Sequence, residues 1–303
     1  MITTLHTKRE STMKNENESV LNISVRSLYE LQHLRIATGN RICAAFRVKL
    51  GLAPSQAEKE DKEAEKLLNQ LRSEYALITD GIKRVTKNTR PSGELITTVA
   101  EMQLIESYER LVESENVHEK IIAWELDKEP LWTEWMADVR GLGPKMAGVI
   151  LTEIDITKCD SISALWKYCG LDVVVDAETG EGQGRTRRPH HLVEKVYTNK
   201  DGVETHTKGI SFNPTLKTKM VGVLGGSFIK QGGKYRDIYD GYKHRIANHP
   251  KHAEKTPGHR HAMANRYMVK QFLQDLWLEW RRIEGLPIRE PYAVEKLGIV
   301  HSK

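Results

Sequence analysis

In a chain whose apolar residues recur mostly at helical spacing, the stretch Val139-Arg-Gly-Leu-Gly-Pro-Lys-Met-Ala-Gly-Val149 forces a reversal. Gly141 and Gly143 admit backbone conformations closed to other residues, and Pro144 fixes φ for a first helical turn. The segment reads as a glycine hairpin between two helices, the helix-hairpin-helix pattern of proteins that hold nucleic acid by its backbone. Its outward N–H groups and the positive end of the helix dipole suit a phosphate, and Lys145 adds a mobile charge. Val139, Leu142, Met146, Val149 and Ile150 are the apolar flanks expected to lock the two helices together. A plain glycine-rich turn in a helical core is the alternative.

Charge divides at this hairpin. From Arg140 onward there are 27 Lys and Arg against 18 Asp and Glu, a net of +9, and the residues before it carry 19 against 23, a net of −4. Nine of the 12 histidines also fall in the second part. Such asymmetry points to a C-terminal half that meets a polyanion and an N-terminal half with another task. The 303 residues suffice for two structural units. No apolar run approaches the roughly 20 residues that span a bilayer, so the expectation is a cytoplasmic protein without membrane contact. Cys43, Cys159 and Cys169 are odd in number and far apart, which fits buried reduced thiols rather than a disulfide framework or a zinc site. Neither a metal nor another cofactor is expected.

The first half is read as helices. Residues 1–19 are polar and aperiodic, a disordered leader. Ser24 is expected to cap a helix with the stripe Val25, Leu28, Leu31, Ile36, Ile42 and Phe46, ending near Gly51. Pro54 opens a second helix through Leu67, Leu68, Leu71, Tyr75 and Ile78, and a turn at Pro91-Ser92-Gly93 leads into a third that runs to about Asp127. Two helices of roughly 30 residues joined by a turn describe an antiparallel coiled-coil hairpin ~45 Å long. Its core is thin, so residues 20–138 are expected to pair with a second copy as a homodimer, a spacer within one globule being the alternative.

The remainder, 139–303, is the expected nucleic-acid-binding domain. Thr152 to Leu171 reads as helical, with Trp166, Tyr168 and Leu171 as core. Residues 172–210 change character: Val173-Val-Val175, a glycine-rich run, then Arg185, Arg187, Arg188, His190 and His191, and a turn at Asn199-Lys-Asp-Gly202 before Lys208. This is a small β-hairpin or irregular basic loop, a charged strap for a phosphate backbone or else a solvated loop. Asn213-Pro214 starts a helix carrying Lys217 and Lys219. A helix from about Tyr235 to Asn248, just after Lys234, carries Arg236, Lys243 and Arg245. The segment Gly258-His259-Arg260-His261 leads into a last helix, Ala262 to Ile283, with Arg266 and Lys270 outside its apolar stripe. Together with Gly141, Gly143, Lys145, Tyr235 and Asn213, these are the expected RNA- or DNA-facing residues. The helix starts at Pro144, Asn213 and Gly258 are candidates to converge on one groove.

Six segments then follow in one order: Gly141-Leu-Gly-Pro-Lys145, Trp166-Lys-Tyr-Cys-Gly-Leu171, Ile210-Ser-Phe-Asn-Pro-Thr-Leu-Lys217, Tyr235-Arg-Asp-Ile-Tyr-Asp-Gly-Tyr-Lys243, Gly258-His-Arg-His-Ala-Met-Ala-Asn-Arg-Tyr-Met-Val-Lys270 and Arg282-Ile-Glu-Gly-Leu-Pro287. The series resembles the C-terminal domain of insertion-sequence transposases guided by a bridge RNA. With the preceding helices it also resembles the Nop domain of box C/D guide-RNA proteins, and most nearly the Tas proteins of tandem interspaced guide RNA (TIGR) systems. The likeness spans about 24–297. It implies a mainly α fold, a coiled-coil hairpin followed by a helical Nop-like domain, and a dimeric protein that binds guide RNA and is directed to target DNA.

Departures from the transposases bear on activity. Their acidic, strand-based N-terminal nuclease domain has no counterpart in this helical first half, and their nucleophilic serine is missing from Glu178-Thr-Gly-Glu-Gly-Gln-Gly184. The expectation is therefore a protein with no catalytic residue of its own, with a separate nuclease in trans as one alternative. A His-Asn-His nuclease using His190 or His191, with Asn199 and His206, is the enzymatic rival. A nonspecific nucleic-acid binder is the other.

Overall fold

The computed structural model describes residues 19–52, 60–80, 94–175, 180, 182–200, 202–252 and 254–289. The expected leader, the start at Pro54 and the turn at 91–93 lie outside them. The chain is mainly α and divides into two compact units, Met1–Trp124 and Glu125–Lys303.

The first unit contains α1 (Val20–Lys49), α2 (Glu60–Asp80) and most of α3 (Val99–Leu126). Ser19, not Ser24, caps α1: its hydroxyl accepts the Asn22 N–H at 3.2 Å, while Ser24 is buried one turn further in. Three helices, rather than two, share the core. Ile42 and Phe46 of α1 pack with Leu67 and Leu71 of α2 and with Ile105 and Tyr108 of α3. Gly39 makes this approach possible, since a Cβ there would meet Tyr108 at 3.1 Å and Leu68 at 3.2 Å. Ile36, expected in the stripe, is exposed, because the buried face of α1 turns away from it.

The start of α3 is a reciprocal capping box: Thr98 Oγ1 accepts the Glu101 N–H at 3.2 Å, and Glu101 Oε2 accepts the Thr98 N–H at 3.1 Å. Lys49 completes it with 2.7 and 2.8 Å contacts to the same carboxylate. The preceding segment hangs on a buried carboxylate. Glu74, 1% exposed, accepts the N–H groups of Glu94, Leu95 and Ile96 at 2.8 to 3.1 Å.

The second unit begins at Glu125 rather than at the hairpin. The reason is packing: α4 (Pro130–Glu134) and the 3-10 turn Met136–Asp138 bury Leu131 and Met136, and Trp135 stacks on Phe272 with centroids 5.9 Å apart. After them come α5 (Pro144–Glu153) and α6 (Ile162–Tyr168), then two antiparallel hairpins, β1 (Val173–Val175) with β2 (Gly182–Gly184) and β3 (Val193–Thr198) with β4 (Glu204–Gly209). The registers run Val173↔Gly184 to Val175↔Gly182 and Val193↔Gly209 to Thr198↔Glu204. Where one small β-hairpin or irregular loop was expected over 172–210, there are two short antiparallel hairpins. A helical run follows, α7 (Pro214–Thr218), a π-helical turn Lys219–Leu224 and α8 (Gly225–Gln231), then α9 (Lys234–Ala247) and α10 (Pro257–Ile283).

Helix α10 is the axis of this unit. Ala264, Met268, Val269, Phe272, Leu273, Leu276, Trp277 and Trp280 bury one face against α4, α6, the π turn, α8 and α9. It begins at Pro257, five residues before the sequence expectation, because Thr256 caps it by accepting the His259 N–H at 3.2 Å. Gly258, His259, Arg260 and His261 therefore lie within the helix rather than leading into it. Trp277 Nε1 donates to the Cys159 carbonyl at 2.8 Å, and the buried Arg281 donates to the Ile156, Cys159 and Pro287 carbonyls. The π turn is met by another helix: Asn265 of α10 donates to the Val221 carbonyl at 3.0 Å. Gly225 makes room, since a Cβ there would lie 2.1 Å from Asn265 Oδ1.

All three cysteines are buried free thiols, and burial pushes Cys159 up to about 11. Among the described residues, no helix is long and apolar enough to cross a membrane.

Candidate nucleic-acid interface

The glycine hairpin serves the core more than the surface. Gly141 has φ +93, and a Cβ would strike Phe228 at 2.9 Å. Its carbonyl accepts Ser227 Oγ at 2.7 Å. Leu142, Met146, Val149 and Ile150 are buried as expected, but the helix preceding the turn is only the five-residue α4. α5 packs on α7 and Gly141 on α8. Gly143, at the N-cap of α5, and Lys145 are exposed, with open space where a Gly143 side chain would go.

A denser concentration of charge forms where α6, the β1–β2 ribbon, α7 and α10 meet. It is built from a turn. Helix α6 ends at Gly170, φ +65, which lies so close to Phe212 and Lys217 that a Cβ would sit 2.6 Å from the ring and 3.0 Å from the lysine stem. Asp172 follows and takes Arg185 Nε at 2.8 and 3.0 Å. Arg185 Nη1 donates to the His191 carbonyl at 3.0 Å, and Lys217 Nζ donates to the Arg185 carbonyl while lying 4.9 Å over the Phe212 ring. Against the next residue back, Gly184, lies the Arg266 guanidinium, whose Cζ would be 2.7 Å from a Cβ at that position. One turn along α10, the Lys270 ammonium sits 4.0 Å over Trp166, whose indole N–H donates to the Lys270 carbonyl at 3.2 Å.

Four cations, Arg185, Lys217, Arg266 and Lys270, thus gather around one carboxylate, Asp172, which Arg185 already engages. The physical consequence is visible in their acidities. Burial first, then Arg266 and the neighbouring Arg185 and Arg187, bring Lys217 down to about 8 against the opposing pull of Asp172. Burial and then Arg266 lower Lys270, and burial lowers Arg266. Arg266 Nη2 is shielded from solvent and has no hydrogen-bond partner among the described residues. An unpaired guanidinium nitrogen in that position is costly unless something else satisfies it. A planar, always-charged fork next to two ammonium groups is suited to a carboxylate or phosphate.

A second group lies along α9 and α10. Tyr242 and Tyr267 stack with centroids 4.2 Å apart, and Arg245 covers them at 4.7 and 5.6 Å. Lys243 lies 5.2 Å over Tyr239, whose hydroxyl meets His261 Nδ1 at 2.6 Å.

The other expected contacts scatter. Arg187, Arg188, His190, Lys208 and His259 are exposed, and Arg260 and Lys219 are half-buried. Lys234 pairs with Asp275 at 2.7 Å, and Arg236 with Asp240 at 2.5 Å and the Ile229 carbonyl at 2.7 Å. Three expected contacts are taken up inside the protein. Tyr235 is buried with its hydroxyl on Asp275 at 2.9 Å. Asn213 caps α7 through Leu216 N–H and donates to Glu153 Oε2 at 2.6 Å. His191 is buried, and its Nδ1 accepts the Thr186 N–H at 2.9 Å. Burial, then His190 and the nearby arginines, lower its pKa, which disfavours the protonated ring. The helix starts at Pro144, Asn213 and Gly258 are accordingly not the feature that gathers the charge.

Sequence reasoning missed Asp172, Gly184, Trp166 and Phe212 as members of the cluster. Trp166 and Phe212 both stood in the ordered segments, but an aromatic residue at helical spacing reads as core; here each offers its face to a lysine. Comparison of the chain with protein-family models, curated proteins and solved structures returns no match.

Proposed function

We propose that this is a nuclease-free, RNA-guided DNA-binding protein, in which the second unit grips a structured guide RNA through shape, phosphate and stacking contacts and base pairing selects the DNA target. The observation that carries the reading is the cation cluster at Gly184, where four positive groups surround one carboxylate. Exposed Arg187, Arg188 and Lys208 on the adjoining ribbons extend the positive surface, and the Tyr242–Tyr267 pair under Arg245 suits base stacking. The guide itself comes from the resemblance to Nop-domain and TIGR-associated proteins. The first unit pairs two copies: Val117 and Trp124, seven residues apart and so on one side of α3, are exposed, Trp124 by 67%. The protein acts in the cytoplasm, and any cleavage comes from a nuclease recruited in trans.

Sequencing of RNA that co-purifies with the full chain tests this directly. One discrete, repetitive species is the expected result, whereas a smear of cellular RNA, or none, sinks the guide reading in favour of nonspecific nucleic-acid binding. Light scattering should give twice the chain mass, and a monomer mass at micromolar concentration removes the pairing.

A further inference from the structure

The cations at Gly184 are not arranged as structural charges are. Arg266 and Lys270 are four residues apart on α10, a like-charged pair on one helix face, which destabilises a helix rather than supporting it. Lys217 is brought up to them from α7, and Asp172, the one carboxylate nearby among the described residues, is bound to Arg185. Lys217 retains one hydrogen bond, to the Arg185 carbonyl, and Lys270 rests on an indole face, which leaves most of their N–H donors unassigned among the described residues. Arg266 has its Nη2 both shielded and unpartnered. The absent side chain at Gly184 lets the guanidinium lie close to the strand end, since a Cβ there would lie 2.7 to 2.9 Å from its Cζ, Nη1 and Nη2 and would push it aside.

We propose that Arg266, Lys217 and Lys270, closed on one side by the Gly184 backbone, form a seat for a single tetrahedral phosphate group, the remaining cations of the surface being nonspecific. The identity of that phosphate as one belonging to a polynucleotide rests on the reading given above. The chemistry itself, a phosphate oxygen set facing a forked guanidinium and two ammonium groups, is shared with free inorganic phosphate. The empty seat is self-repelling. Its occupation therefore relieves strain that the free protein carries, and this gives a signature that a structural cluster lacks: removing one cation leaves the free protein as stable or more stable while abolishing the response to the anion.

The test is thermal unfolding of the full chain in inorganic phosphate against chloride at equal ionic strength, with a single-stranded RNA of about 20 nucleotides measured in parallel by fluorescence anisotropy over a salt series. Wild-type protein should show a saturable rise in Tm with phosphate. Arg266→Met and Lys270→Met should lose most of that rise without lowering the Tm in chloride, and should bind the RNA roughly 10- to 100-fold more weakly, as loss of a charge-assisted contact implies. Each should also reduce the salt slope by about 1. Gly184→Ala changes no charge but pushes on the guanidinium, so it should blunt the phosphate response as well, whereas Arg266→Lys should keep part of it. No phosphate response in the wild type overturns the seat. So does an Arg266→Met protein that is destabilised in chloride yet still responds to phosphate, because that is how a structural cation behaves. RNA affinity unchanged in both methionine variants removes the polynucleotide assignment of the seat but leaves guide binding elsewhere intact. An Arg266-dependent phosphate response with no RNA binding supports the seat and defeats the RNA-guided reading.

Discussion

The two units handle half-buried charge in opposite ways. In the first, each internal cation meets an acid: Arg35 with Glu115, Lys49 with Glu101, Arg72 with Glu109. Even the buried Glu74 is neutralised by three backbone N–H groups. In the second unit, Lys217, Arg266 and Lys270 share, among the described residues, one acid that is already bound to Arg185. Paired charges fix geometry, because breaking them leaves an uncompensated partner; unpaired charges of one sign raise the energy of the fold and lower that of a complex with an anion. The first unit's charges should matter to stability, the second unit's to binding.

The largest effect that bears on this contrast is expected from Glu74→Ala. Three N–H groups lose their acceptor, and partial access of water to the 94–96 segment limits the loss to about 2 to 4 kcal/mol. Urea denaturation followed by far-UV circular dichroism should show the midpoint fall; an unchanged midpoint would mean that this carboxylate does not hold the entry to α3. Next comes Gly141→Ala, which tests whether packing rather than charge holds the second unit. Positive φ and the collision with Phe228 predict about 2 kcal/mol of destabilisation. The near-UV signal of the Trp135, Phe228, Tyr235 and Phe272 cluster should weaken with it. Full stability in this variant would show that the backbone there is not constrained as described.

Smaller still is the Lys49–Glu101 pair. Lys49, and then the Thr97 N–H, hold Glu101 down at about 2 from an ordinary value of 4.5. The sign follows: the folded carboxylate is the more acidic, so its contribution is complete above about 4.5 and is lost as pH falls through about 2. Solvent screening keeps it to about 1 kcal/mol. Lys49→Met should move the Glu101 titration, read by carboxyl-carbon NMR, back toward 4.5.

At Lys217 the shift has the opposite sense. Its folded value near 8 lies below the ordinary 10.5, so between these values the unfolded chain holds a proton that the folded protein has released. Stability should therefore rise with pH across that window in phosphate-free buffer, and Lys217→Met should flatten the rise. A profile identical in the variant would show that the ammonium is not desolvated by its neighbours.

Much of the fold was legible. α9 and the body of α10 follow from apolar spacing. Less legible was the first unit, where the periodicities of α1, α2 and α3 are each clear but which two or three helices share a core depends on Gly39 admitting Tyr108. The π turn at Lys219–Leu224 was invisible, and it is met by Asn265, a residue of another helix. The candidate site was half legible: Arg185, Lys217, Arg266 and Lys270 were all expected to face an anion, but so were His191, Tyr235 and Asn213, which satisfy the fold instead.

By itself, the sequence determined a helical chain interrupted over 172–210 by a small β-hairpin or irregular basic loop, a glycine reversal at Gly141, and a charge split of +9 against −4 about that point. Only the tertiary structure decided which of the many cations lose water together. Periodicity and composition are local or summed properties, whereas desolvation and Coulomb repulsion depend on distance through space. They couple Trp166 to Lys270 and Gly184 to Arg266, residues that the chain order keeps far apart.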